Sequence, residues 1–302
     1  MSPPADKQLL LRFEEADPLP RAMLTHRPTD LAAWTTWFRD APIPVQARTA
    51  DELALLAKAE EVRGDVDAHQ LADPVGRDPL MALKLLATVS QAHRARHAEG
   101  GRSGPETVTA ALVIMGVSPF FQAFDASPTV EDVLAGQPQA LAGLQGVVLR
   151  AHRAANFAVG FAVHRMDESA AVLQLAALLH DFAEMLLYCH APALALEIEA
   201  RQRADTSLRS AGVQREVLGV DLAALQQALM RAWSLPAILV RIADDAHAEH
   251  PQVRSVELAI RLARHSQNGW NNAALPDDLA DVAKLLNLSP AAAETLVREI
   301  DD

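Results

Sequence analysis

Three ionisable residues within five, His180, Asp181 and Glu184, interrupt the run from Ala170 to Leu187, which is otherwise apolar but for Gln174. A helix buried on most sides does not carry such groups without partners, because an unpaired buried charge is costly. In a continuous helix His180 and Glu184 stand four apart on one face and both reach one ion. Asp181 sits about 100° round and converges on an ion lodged between helices. His152, on the preceding helix, is the natural third partner. A neutral imidazole beside a hard carboxylate oxygen suits Mn, Fe, Mg or Zn. The same residues also read as a satisfied polar network that fixes helix register without any metal. Spacing alone leaves both readings open.

A second ligand-rich stretch, Asp244-Asp245-Ala246-His247-Ala248-Glu249-His250, lies near a helix end, where such charge is commonly just solvated. His26, His69, His93, His97, His190 and His265 show no partner in the sequence and read as surface or loop residues. The one cysteine, Cys189, reads as a small buried hydrophobe and excludes an internal disulfide or thiolate cluster. There is no Walker loop, no dinucleotide-binding glycine fingerprint, no Gly-x-Ser-x-Gly and no His-Glu-x-x-His.

The elements that must position these residues are helices. Ala and Leu dominate, half of the 302 residues are apolar, and strands find almost no support. Residues 1–42 form an extension with an amphipathic helix near Leu31–Phe38, in which Trp34, Trp37 and Phe38 share one face. That face docks on the main body, or else it is a partner surface. Ala41-Pro42-Ile43-Pro44 marks an extended break. Thr49 or Asp51 caps the next helix, and Asp78-Pro79 opens another, with Asp as cap and Pro at the first helical position. Gly100–Pro105 reads as a loop, Met115-Gly116 as a helix end and Ser118-Pro119 as a helix start. Two long antiparallel helices follow: one from about Pro138 to His164 with His152, and one from Asp167-Glu168-Ser169 to Ala191 with His180 and Asp181. Further helices are predicted near 192–204, 220–232, 236–248, 253–267, 276–285 and 289–300.

The net charge of −12 repels phosphate backbones, so nucleic acid is not an expected partner. The N-terminus lacks the basic and apolar regions of a secretory signal, and no uninterrupted apolar run reaches the roughly 20 residues that cross a bilayer. No membrane partner is expected, and the expected location is cytoplasmic.

The order of these features resembles the HDOD family, the HD-related output domain of bacterial signalling, a divergent branch of the HD metal-dependent phosphohydrolases. Leu178-Leu179-His180-Asp181 resembles the HD doublet, Ile43-Pro44 the opening extended segment, and Asp78-Pro79 through Leu86 the Asp-Pro helix. Val108 to Gly116 resembles the apolar helix ending in Leu-Gly, and Ala151-His152-Arg153-Ala154-Ala155 the His-bearing helix. Glu216-Val217-Leu218-Gly219 with Trp233-Ser234-Leu235-Pro236 resembles the Glu-x-x-x-Gly and Trp-x-Leu-Pro signature. The match covers about residues 43–250.

The resemblance implies an all-α, multi-helical bundle in two lobes: 43–130, and an HD-like lobe over 138–250 with residues 251–302 packed on it. It implies a metal set of His152, His180 and Asp181, with Glu184, Asp244, Asp245 and His247 as possible substitutes for missing ligands. The departures point away from catalysis. Ala183-Glu184 stands where active HD enzymes carry Gly-Lys, Asp221-Leu222 and Ala246-His247 where HDOD proteins often carry His, and the stretch Ile260-Arg261-Leu262-Ala263-Arg264 has Arg where a late Asp ligand would fall. A guanidinium cannot ligate a cation and opposes one electrostatically. The expectation is therefore a non-catalytic regulatory module that binds a signalling protein or a small nucleotide-like ligand, with a divalent metal (Mn, Fe, Mg or Zn) as the one possible cofactor; a separate reading is a ligand sensor that uses the cavity between the lobes. The alternative is a metal-dependent phosphohydrolase acting on a nucleotide or cyclic dinucleotide.

Overall fold

The computed structural model describes residues 23–24, 26–96, 104–125, 127–205, 210–244 and 250–301, and among them the protein is all-α. The helices are α1 (Leu31–Arg39), α2 (Ala47–Arg63), α3 (Ala68–Arg77), α4 (Pro79–Arg96), α5 (Val108–Met115), α6 (Val117–Phe124), α7 (Val130–Val133), α8 (Pro138–His164), α9 (Ala170–Leu178), α10 (Phe182–His190), α11 (Pro192–Ala204), α12 (Ser210–Leu218), α13 (Leu222–Ala232), α14 (Ala237–Ile242), α15 (Pro251–His265), α16 (Leu275–Leu286) and α17 (Pro290–Asp301). The one extended pairing among the described residues is an isolated parallel bridge between Val45 and Thr129. Most of the expected Gly100–Pro105 loop lies outside the described residues.

The chain divides into two compact units, and neither is one continuous segment. The first comprises Met1–Leu144 and Ala183–Leu235, the second Gln145–Phe182 and Pro236–Asp302. The resemblance in sequence implies instead two contiguous lobes, over 43–130 and 138–250.

In the first unit, Asp78 caps α4 as expected, accepting from the backbone N–H of Leu80 and Met81 at 2.9 and 3.1 Å. It also accepts from Gln46 N–H at 2.7 Å, which fixes the extended segment before α2. Asp78 is fully buried, and burial raises its carboxyl pKa against the pull of those hydrogen bonds. Neither Thr49 nor Asp51 caps α2, which begins earlier, at Ala47, after Gln46. Gly116 ends α5 with φ +82, where a side chain would be strained. Helix α1 packs on α13. Trp34 and Phe38 are 0% and 1% exposed, and Trp34 Nε1 donates to the Leu218 carbonyl at 3.2 Å. Those two rings are therefore docked core, which corrects the partner-surface alternative for them; Trp37 is half-buried.

In the second unit, α9 packs on α14 and α15, α15 on α16, and α16 on α17. By length and apolarity alone the stretch Ala170–His190 would cross a membrane, but 67% of its most apolar window is buried within the fold. It is also not one helix. The chain turns at Leu179–Asp181, so the expected single helix carrying the doublet is two helices, α9 and α10, with the doublet in the turn between them.

Candidate functional site

The turn forms because the hydrogen-bond register tightens at the end of α9. Leu179 N–H still reaches Leu175 four residues back, but His180 N–H takes the Ala177 carbonyl, three back, at 3.3 Å. Phe182 N–H then takes the Leu179 carbonyl at 3.2 Å, and α10 starts. The break turns both side chains of the doublet away from ideal helical spacing. His180 thus stands in the turn and Glu184 in the first turn of α10, so the two do not share one continuous helix.

Asp181 is the centre of the site, with 12% of its side chain exposed. Arg150 on α8 clamps its Oδ2 with Nε and Nη2, both at 2.9 Å. His180 Nδ1 lies 3.1 Å from Oδ1, and Arg264 Nη2 on α15 lies 3.6 Å from the same oxygen. Burial works to raise the Asp181 carboxyl. Arg150, the hydrogen bond from His180 and Arg264 outweigh it and hold the carboxyl well below the ordinary carboxylate value. Arg150 and Arg264 thus favour the ionised form of Asp181.

His152 is half-buried on α8, two residues from Arg150. Among the described residues no three His, Cys, Asp or Glu side chains form a group that could hold a metal ion. Both carboxylate oxygens of Asp181 already face guanidinium groups, which would repel a divalent cation. His152, His180 and Asp181 therefore do not fit the metal that the HD resemblance implies. Of the proposed substitutes, Glu184 lies in α10 and Asp244 just after α14, both half-buried, while Asp245 and His247 lie outside the described residues.

Four residues gain partners that the sequence did not reveal. His265 Nδ1 and Arg261 Nη2 both bind the buried carboxylate of Asp278 at the start of α16, Arg261 at 2.6 Å. Arg153, the neighbour of His152, holds Asp301 on α17 through two 2.7 Å hydrogen bonds and reaches Ser266 Oγ at 2.8 Å. His190 is buried in the first unit, with Nε2 3.0 Å from the Pro42 carbonyl. A signal for the His265 and Arg261 pairing was present: they are four apart on α15 and can face one acid together. Cys189 is a free, buried thiol whose pKa burial pushes up, in keeping with an inert core residue.

The chain matches the HDOD domain family over residues 44–249. No curated protein matches it. Among solved structures it is similar to the MmoQ response regulator of Methylococcus capsulatus str. Bath, with a TM-score of 0.60 and 18% identity, over 85% of this chain and 98% of that one. It is similar as well to a virulence factor from Campylobacter jejuni subsp. jejuni, with a TM-score of 0.60 and 16% identity, over 89% of this chain and 92% of that one. At such identities the likeness is one of fold.

Proposed function

This chain belongs to the HDOD family, and from that premise we propose that it is a non-catalytic signalling module that acts by binding a protein partner or a small ligand. The observation that carries the reading is the state of Asp181, whose Oδ2 is held by Arg150 and whose Oδ1 lies by His180 and Arg264. Hydrolysis in an HD enzyme needs a metal to polarise the phosphoryl oxygen and to supply hydroxide near neutral pH. A carboxylate flanked by two guanidinium groups is a poor metal ligand. The response-regulator description of one fold neighbour supports a role in signalling. The acidic charge supports a protein or small-molecule partner over nucleic acid.

The test is turnover. Purified chain and Asp181→Ala are assayed against mononucleotides, phosphodiesters and cyclic dinucleotides with Mn²⁺, Mg²⁺ or Zn²⁺. The expected outcome is no hydrolysis that distinguishes the two. Turnover by the wild type that Asp181→Ala abolishes would restore the phosphohydrolase. The binding half is checked by thermal shift with the same ligands, since a ligand of the native state must raise the midpoint.

A further inference from the structure

Helix α15 brings two arginines, one turn apart, to different acids. Arg261 turns to α16, with Nη2 and Nε at 2.6 and 3.1 Å from Asp278 Oδ1. Arg264 turns to the doublet, with Nη2 3.6 Å from Asp181 Oδ1. On the other side of the same carboxylate, Arg150 from α8 places Nε and Nη2 at 2.9 Å from Oδ2. One buried anion therefore joins α8, the turn between α9 and α10, and α15, three segments far apart in the chain. In an HD metal site the joining charge is a divalent cation, which also attracts the doublet Asp and ties helices together.

We infer that Arg264, together with Arg150, stands in for that cation: the second unit carries its own fixed positive charge at the doublet and holds it together without metal. The division of labour follows from exposure. Arg150 is 11% exposed, so its charge must be paired at Asp181 to be tolerated. Arg264 is 43% exposed and its ion pair is longer, so it is the weaker and more replaceable of the two. Its Nη2 lies beside Oδ1, so a cation bound at that oxygen would sit against a guanidinium. Arg264 is thus a positioning residue that also excludes metal. This inference rests on the reading of the doublet as non-catalytic, and its test is independent of turnover.

The experiment is thermal unfolding of the full chain in Mn²⁺ and in EDTA, for wild type, Arg264→Gln, Asp181→Asn, their double variant and Arg264→Asp. The wild-type midpoint should be the same in Mn²⁺ and EDTA. Arg264→Gln should lower it by about 2–4 °C. The double variant should fall by less than the sum of its parts, because both changes remove one interaction. Arg264→Asp removes the repelling guanidinium and adds a hard oxygen donor to the same turn of α15, on the side of Asp181 and His180. It should gain a Mn²⁺-dependent rise in midpoint that the wild type lacks. Strict additivity of Arg264→Gln and Asp181→Asn overturns the inference. So does a Mn²⁺ response in wild type that Asp181→Asn removes, and so does an Arg264→Asp chain indifferent to Mn²⁺. Metal-independent turnover by a wild type whose cycle shows the expected coupling would sink the non-catalytic reading and leave this one standing.

Discussion

His190 ends α10 with its imidazole inside the first unit, where Nε2 donates to the Pro42 carbonyl and the ring lies 5.2 Å from the centre of Trp37. Burial pushes its pKa down from 6.5 to about 4, against the hydrogen bond, which works the other way. The sign follows from proton binding. Between pH 6.5 and 4 the unfolded chain takes up a proton that the folded chain refuses, so stability is complete above 6.5 and falls as pH drops towards 4. Over the whole window the loss is roughly 3 kcal/mol. His190→Gln keeps an N–H donor and removes the titration. Urea unfolding at pH 7.5 and 5 should show the wild type losing about 2 kcal/mol more than His190→Gln; equal losses would mean that the ring is not held neutral. From sequence His190 was one unpartnered histidine among several, because the partner is a backbone carbonyl far away in the chain. The His180-Asp181 doublet was legible, since polar residues in an apolar run need a reason. Its arginine partners were not, because Arg150 and Arg264 look like ordinary helix charges until the fold brings them to one carboxylate.

At the scale of the element, the helices were legible where caps and glycines mark them. Asp78-Pro79, Gly116 and Pro192 all stand at helix ends as their chemistry predicts. The turn at Leu179–Asp181 was not legible. Leu, His and Asp carry no breaker signal, and the break comes from a tightened hydrogen bond that tertiary contacts select. Close approach between helices is another property that pattern cannot show. Gly143 on α8 faces the ring of the buried Tyr188 on α10, and a Cβ there would lie 2.6 Å from Tyr188 Cζ. Gly212 on α12 has open space around it. Both are helical glycines, so alanine gains up to about 1 kcal/mol of helix propensity at each. At Gly143 the overpacking costs about 1–3 kcal/mol, and the ring is walled in. Gly143→Ala should therefore lower the midpoint of chemical denaturation, and Gly212→Ala should raise it. A stabilised Gly143→Ala would show that Tyr188 yields freely.

For the whole molecule, the family match stops at residue 249, yet the second compact unit draws on Pro236–Asp302. Residues 251–302, expected to pack on the HD-like lobe, contribute buried side chains to the second unit. On α15, Val253, Val256, Leu258, Ile260 and Leu262 are buried, and α9, which packs on it, is buried at Val172, Leu173, Leu175 and Leu178. Each such side chain contributes about 2 kcal/mol on burial, so stripping α15 to α17 removes as much as a domain's net stability of about 5–15 kcal/mol. The same cut takes Arg264 from Asp181 and Asp301 from Arg153, leaving two largely buried charges short of partners. A chain ending at residue 249 should keep amide protection in α4 and α5 of the first unit and lose it throughout α9, as read by hydrogen exchange. Protection in α9 equal to that of the full chain would mean that the family-matched segment folds alone. The expected loss would make α15 to α17 as integral to this protein as the doublet itself, since the helix that supplies Arg264 is also the wall against which α9 is built.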